Sequence, residues 1–190
     1  MELEKLLIDS SKITADMAVH TIGDNPVLFK KVLDFALEDR DVFAQRASRV
    51  IQLCTSKYPH LIQPHLNEII TSLPGFQNGG LKRNVLRLLS QRTNEFTEEQ
   101  QGILLDVCFK FIMNSDEKPA IKVYAMDILY DISNQYPDLK NELISTIKSQ
   151  MPTASAGIKS RSQKMLKKLY KEIEARRRKS KAGSKPKANS

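Results

Sequence analysis

The feature that most constrains the fold of this sequence is an internal duplication with a shift of 78 residues. The matched positions are small residues, prolines, glycines and aliphatic residues that fall at helix starts, turns and core positions. They pair Ala47 with Ala125, Tyr58-Pro59 with Tyr136-Pro137, Pro74 with Pro152, Gly79 with Gly157 and Leu88 with Leu166. Because a unit of 78 residues is too long for one helical hairpin, a shorter repeat is expected inside it.

The shorter repeat is a large residue, then a small one, then an aliphatic residue four positions further on. It occurs at Arg46-Ala47…Ile51, Arg83-Asn84…Leu88, Tyr124-Ala125…Leu129 and Arg161-Ser162…Leu166. Successive copies are 37, 41 and 37 residues apart, and the first two spacings together restore the shift of 78. On a helix, the small residue and the aliphatic residue share one face, so a neighbouring helix can approach closely there.

Each unit is predicted to form two antiparallel helices. The predicted helices pair 11–23 with 26–38, 41–57 with 60–73, 80–91 with 97–113, and 118–135 with 138–150, and leave 156–177 unpaired. A Tyr-Pro or Asn-Pro step separates helices, because proline disfavours α geometry in the residue before it and suits the first position of the next helix. Thr97 and Gln100 predict a capping box, and Pro64 predicts a kink or a helix start near residue 63.

This pattern resembles HEAT repeats, within the armadillo-like α-solenoid superfamily, over residues 11–170. The segments that carry it are 41–74 and 118–152, each followed by a Gly-x-x-x-Arg sequence, GGLKR and GIKSR. The resemblance implies an all-α, right-handed α-solenoid of about four helical hairpins plus a terminal helix. It also implies that the second helix of each hairpin lines a concave face, where partners of such proteins usually bind.

The charge is unevenly distributed along the chain. From Lys159 onward there are 13 basic and two acidic residues, whereas the preceding residues carry 17 basic and 20 acidic ones. Because the sequence from Ala175 lacks apolar periodicity, we predict a folded domain over 1–174 and a disordered basic tail over 175–190. The predicted partner-binding residues of the tail are Arg176, Arg177, Arg178, Lys179 and Lys181. They fit an electrostatic contact with nucleic acid, and a solvated extension is the alternative.

No catalytic motif is present, so the sequence predicts a protein that is not an enzyme and needs no cofactor or metal. Cys54 and Cys108 lie within apolar helical patterns, which favours buried thiols in a reducing compartment. His60 and His65 are five residues apart, and this spacing does not place two imidazoles on one helical face. No carboxylate or thiol completes a metal-ligand set around them.

The main enzymatic alternative is a distant resemblance to alkylpurine DNA glycosylases, which are built from HEAT-like repeats. Their site uses Trp side chains beside a catalytic Asp, and this chain has no Trp. A Tyr or Phe side chain would have to stack on the base, with Asp127 or Asp131 as the acid. Nothing in the sequence selects these two aspartates, so a structural role is favoured for them.

The preferred function is therefore a non-enzymatic adaptor that binds a protein partner on its concave face, with nucleic acid binding as the alternative. The distribution of charge on the second helices distinguishes these two functions. If Lys30, Lys31, Lys110 and Lys148 cluster in one positive groove, nucleic acid is favoured; a mixed groove favours a peptide. No stretch has the roughly 20 apolar residues that span a bilayer, so no membrane contact is expected. We expect a cytoplasmic protein, or a nuclear one if the source is eukaryotic.

Overall fold

The computed structural model describes residue 5 and residues 7–183, and over this part of the chain it contains helices and turns but no strand. The α-helices are α1 Lys12–Ile22, α2 Pro26–Leu37, α3 Asp41–Lys57, α4 Leu66–Ser72, α5 Gly79–Leu89, α6 Glu98–Met113, α7 Pro119–Gln135, α8 Leu139–Gln150 and α9 Ala156–Gly183. The prediction of an all-α fold is confirmed.

The helices form two layers. The first helices of the repeats, α1, α3, α5, α7 and α9, stack in order, each in contact with the next. Among the second helices, α4 packs on α6 and α6 on α8, while α2 and α6 also pack against the first helix of the following repeat. This is the predicted α-solenoid of four hairpins plus a terminal helix.

One hydrophobic core runs through the whole stack, from Leu7 before α1 to Leu169 in α9. The small residues of the repeat lie inside it, since Ala47, Asn84, Ala125 and Ser162 are all buried. Each therefore marks a close approach between successive first helices, as its side-chain size predicts. In the part of the chain that the structure describes, no helix has an apolar stretch long enough to cross a bilayer.

The duplication is visible in the backbone at the ends of α3 and α7. Tyr58 caps α3 with φ −128° and ψ 77°, and Tyr136 caps α7 with φ −119° and ψ 79°. In both cases the tyrosine N–H donates to a carbonyl oxygen four residues earlier, that of Cys54 or Ile132. The following proline cannot continue the helix, so both helices end with the same geometry.

The helices that follow these caps differ because of Pro64. After Tyr136 the chain enters α8 at Leu139, but after Tyr58 it forms two short 3₁₀ turns and begins α4 only at Leu66. Proline lacks an N–H donor and disfavours helical geometry in the residue before it, whereas the equivalent position in α8 is Glu142. A 3₁₀ turn therefore begins at residue 63, where the sequence predicts a helix start, and the α-helix itself begins only at Leu66.

Polar side chains connect neighbouring repeats at a nearly constant sequence distance. Arg92 Nη2 donates to the carbonyl oxygen of Thr55, 37 residues earlier, and the Thr93 hydroxyl donates to Asp131, 38 residues later. Asn84 Nδ2 donates to the Ser48 hydroxyl across 36 residues. These separations are close to the repeat spacing of 37 in the sequence, as expected of a solenoid in which each repeat contacts only its neighbours.

The last helix corrects the predicted boundary between domain and tail. The sequence predicts a disordered tail from residue 175, but α9 continues to Gly183. Ala, Arg and Lys favour helix without needing a core, and Glu172 and Glu174 lie four residues before Arg176 and Arg178, which is the favourable order for such pairs. Gly183 is the last residue of α9 that the structure describes. Residues 184–190 of the predicted tail lie outside the described residues.

Candidate functional site

The predicted tail residues lie on the last turns of α9. Arg176 and Arg177 line a cleft of about 360 Å³ with Pro137 and Asp138 at the start of α8. Arg176 Nη1 is 3.9 Å from Asp138 Oδ1, but both side chains are largely exposed, so this ion pair adds little stability. Arg178 and Lys179 are exposed. The side chain of Lys181 lies outside the described residues, although its backbone is helical.

A cluster of three side chains fixes α9 against α7 and α8. The Tyr130 hydroxyl donates to Glu172 Oε1, and Lys140 Nζ donates to Glu172 Oε2 at 2.6 Å. Burial by itself raises the pKa of Glu172, but the hydrogen bonds from Lys140 and Tyr130 outweigh it and hold the pKa below its usual value. Burial, and then the bond to Glu172, raise the pKa of Tyr130.

Helix α9 as a whole is strongly basic, with eleven basic and two acidic residues. Its buried side chains are Ser162, Met165, Leu166 and Leu169, all on the face that packs on the core. Lys164, Lys167 and Lys171 are exposed. Sequence reasoning did not single them out, although lysines at this spacing opposite apolar residues follow the helical period and mark the outer face of a helix.

The second-helix layer carries a groove that we call the α6 groove. It measures about 430 Å³ and is lined by Pro74, Lys82, Ile103, Asp106, Val107, Lys110, Phe111, Asn114 and Glu117. At its base, Lys82 Nζ lies 3.1 Å from Glu117 Oε2, and 5.3 Å from the centre of the Phe111 ring. Both charged side chains of this ion pair are mostly buried, so it is screened little by solvent.

The four lysines whose clustering would favour a nucleic acid partner over a peptide do not form one positive groove. Lys30 is hydrogen-bonded to Asp34 on its own helix and lies 3.4 Å from Glu68 on α4. Lys110 lies in the α6 groove with Asp106, and Lys148 Nζ lies 5.6 Å from the centre of the Tyr170 ring. Helices α2, α4, α6 and α8 together hold six acidic and five basic residues. This surface is mixed in charge.

The two aspartates considered as glycosylase acids lie on α7, at a small cavity of about 280 Å³ facing α9. Asp127 accepts a hydrogen bond from Arg161, and burial raises the pKa of its carboxyl despite this bond. Asp131 accepts a hydrogen bond from Thr93. The neighbouring Tyr130 is only 6% exposed, and Lys168 Nζ lies 3.8 Å from the centre of its ring. The ring is therefore not open to stack on an extruded base.

The surroundings of the two cysteines, and of His60 and His65, indicate structural roles. Cys54 and Cys108 are buried, and burial raises the pKa of the Cys54 thiol to about 12, which keeps it protonated at neutral pH. His60 Nε2 lies 2.6 Å from Asp24, and the His65 ring stacks on Phe29. Within the described ranges, no three His, Cys, Asp or Glu side chains come together as a metal site.

Comparison with known proteins agrees with this geometry. No curated protein and no solved structure matches the chain. The model of a family described as a HEAT repeat domain matches residues 3–169, which covers all the helical hairpins and most of the contact between α9 and the core. With its stacked hairpins, its repeat-length spacing of contacts and this match, the chain belongs to the HEAT repeat domain family.

Proposed function

We propose that this protein is a non-enzymatic adaptor that binds a segment of a partner protein in the α6 groove, on its second-helix layer. HEAT repeat domains are in general protein-interaction scaffolds, and this family membership supports the coarse function. The observation that carries the finer proposal is the chemistry of the groove. It places an aromatic and two aliphatic side chains beside a carboxylate, an amide and an ammonium group.

This mixture suits a peptide better than a nucleic acid. A protein segment presents apolar side chains together with backbone N–H and C=O groups, so it needs both apolar contact and paired donors and acceptors. Ile103, Val107 and Phe111 supply the apolar wall. Asp106, Lys110 and Asn114 supply an acceptor, a donor and an amide that can do both. The groove volume of about 430 Å³ is within the range of sites that hold a few side chains.

The groove is also held in shape before any partner arrives. The Lys82–Glu117 ion pair links α5 to the loop after α6, and the Lys82 ammonium lies against the Phe111 ring. A preformed site lowers the entropic cost of binding, because fewer side chains have to be ordered when the partner docks. The concave arrangement of second helices implied by the HEAT resemblance would give an extended segment access to this layer.

The test compares two charge-swap variants in capture of partners from the source cell. Asp106→Arg with Lys110→Glu alters the groove without changing net charge. Lys12→Glu with Asp16→Arg is the matched control, since these exposed residues are also four apart on one helix and lie far from the groove. We expect a protein captured by the wild type to survive nuclease treatment, to persist with the control and to be lost with the groove variant. Loss on nuclease treatment, or equal capture by both variants, would contradict the proposal.

A further inference from the structure

The positive charge of the molecule is concentrated on one helix. The chain up to residue 158 has 17 basic and 20 acidic residues, whereas α9 has eleven basic and two acidic ones. A polyanion that approaches the protein is therefore repelled by the body and attracted to α9. Because α9 is the last helix of the stack, no later repeat covers it within the described part of the chain.

Four basic side chains form a single row along α9. At 100° per residue, Lys164, Lys167, Lys171 and Arg178 point in directions within about 60° of one another, and this direction is opposite to that of the buried Met165 and Leu169. We call these four residues the α9 basic face. At a rise of 1.5 Å per residue, the row is about 21 Å long.

The charges of this row are available for binding. All four side chains are exposed, and none has a hydrogen-bond or ion-pair partner among the described residues. Among the other cations of α9, Arg161 is bonded to Asp127 and Arg176 lies near Asp138. Lys168 lies over the ring of Tyr130. The charge of the α9 basic face is therefore not already balanced by the fold.

The shape and composition of the row favour the phosphate backbone of a nucleic acid. A membrane-bound amphipathic helix needs an apolar face to insert among the lipids, but the apolar face of α9 is buried against α7 and α8. Each strand of a duplex carries one phosphate per about 3.4 Å of axis, so a row of 21 Å runs beside about six phosphates. With its inner face packed on the core, α9 cannot enter a groove deeply, so the contacts would not read sequence.

We propose that the α9 basic face binds the phosphate backbone of nucleic acid without sequence preference, as a second interaction surface separate from the α6 groove. Four phosphate contacts release condensed counterions and predict a log–log salt slope of about 3.6 on duplex DNA. Affinity then falls about 100-fold between 50 and 200 mM salt. The salt slope, rather than the affinity alone, reports how many cations take part.

The experiment measures fluorescence anisotropy of a random-sequence duplex DNA of 20 base pairs at several salt concentrations. The test variant is Lys164→Gln, Lys167→Gln, Lys171→Gln. The matched control is Lys12→Gln, Lys31→Gln, Lys57→Gln, which removes the same charge from exposed positions on α1, α2 and α3. Gln and Lys have similar helix propensity, so both variants should fold, which circular dichroism checks. We expect the test variant to lose at least tenfold in affinity at 50 mM salt and its slope to fall to about 0.9, while the control keeps the wild-type slope.

Other outcomes overturn the proposal. Equal losses in both triple variants would show that only net charge matters. Absence of wild-type binding at 50 mM salt would mean that the row is solvated surface. Loss of DNA binding in a variant that ends at residue 183 would assign the binding to residues 184–190. Finally, anionic phosphatidylserine vesicles that bind through the same three lysines, when DNA does not, would make the partner a membrane.

Discussion

The side-chain amide of Asn84 donates a hydrogen bond of 3.0 Å to the hydroxyl of Ser48, at the contact between α3 and α5. Both residues are more than nine-tenths buried. Asn84 occupies the position that is alanine in the repeats before and after it, Ala47 and Ala125. It is tolerated there because its amide also donates to the carbonyl oxygen of Gln45, so this buried donor group is satisfied.

This relationship predicts different costs for two substitutions at the same site. Asn84→Ala removes the amide but leaves Ser48 bonded to Gln45, so we expect a loss of about 1–2 kcal/mol in the free energy of unfolding. Asn84→Asp places an acceptor-only group against the Gln45 carbonyl, and we expect a larger loss at pH 7. Chemical denaturation at pH 7 checks this, and equal losses would be inconsistent with the bond to Gln45.

The close contacts between first helices predict that larger side chains are not accepted at the repeated alanines. Ala47 and Ala125 are completely buried, so Ala47→Leu or Ala125→Leu should overpack the contact and cost about 1–3 kcal/mol. Ala175→Leu, at an exposed position of α9, is the matched control and should change the unfolding free energy by less than about 0.5 kcal/mol. Thermal unfolding checks all three. Similar melting temperatures for all of them would show that the helices are not in this register.

Two acidic residues at the contact between α7 and α9 should respond to neutralisation in opposite directions. The pKa of Glu172 is lowered in the folded state, so its charged form stabilises the fold at neutral pH, and this contribution is lost as pH falls through the lowered pKa. The pKa of Asp127 is raised by burial, so its charged form destabilises the fold at neutral pH, and protonation relieves this as pH falls.

We therefore expect Glu172→Gln to lower the free energy of unfolding at pH 7 and Asp127→Asn to raise it. The difference between Glu172→Gln and the wild type should shrink below the usual glutamate pKa range. Urea denaturation between pH 3 and pH 7 measures both effects. A change of the same sign in the free energy of unfolding of both variants at pH 7 would contradict the opposite pKa shifts of the two carboxyl groups.

Removal of residues 175–190 tests how far the fold depends on the end of α9. This deletion removes seven basic residues and no acidic one. The last buried side chain of α9 is Leu169, so we expect the unfolding midpoint to remain nearly unchanged. Circular dichroism should lose the helical signal of residues 175–183. A large drop in the midpoint would mean that these turns stabilise the stack, and an unchanged helical signal would contradict the helix beyond residue 174.

The order and type of the helices could be predicted from the sequence because they depend on local physics. Tyr-Pro steps, the capping box of Thr97 and the spacing of small and aliphatic residues each act within a few residues of the chain. The extension of α9 is also encoded locally, in the glutamates placed four residues before Arg176 and Arg178, because such pairs and helix-favouring residues can support a helix that has no apolar period.

The tertiary structure alone decided which charged groups are free to bind a partner. Lys30 and Lys82 look alike in the sequence to Lys164 and Lys171, but they are paired with Glu68 on α4 and with Glu117 in the loop after α6. Such partners lie 38 and 35 residues away, beyond the reach of any local pattern. Whether a cation is balanced depends on the distance to an opposite charge in space, since electrostatic attraction falls with separation, and only the stacking of repeats sets that distance.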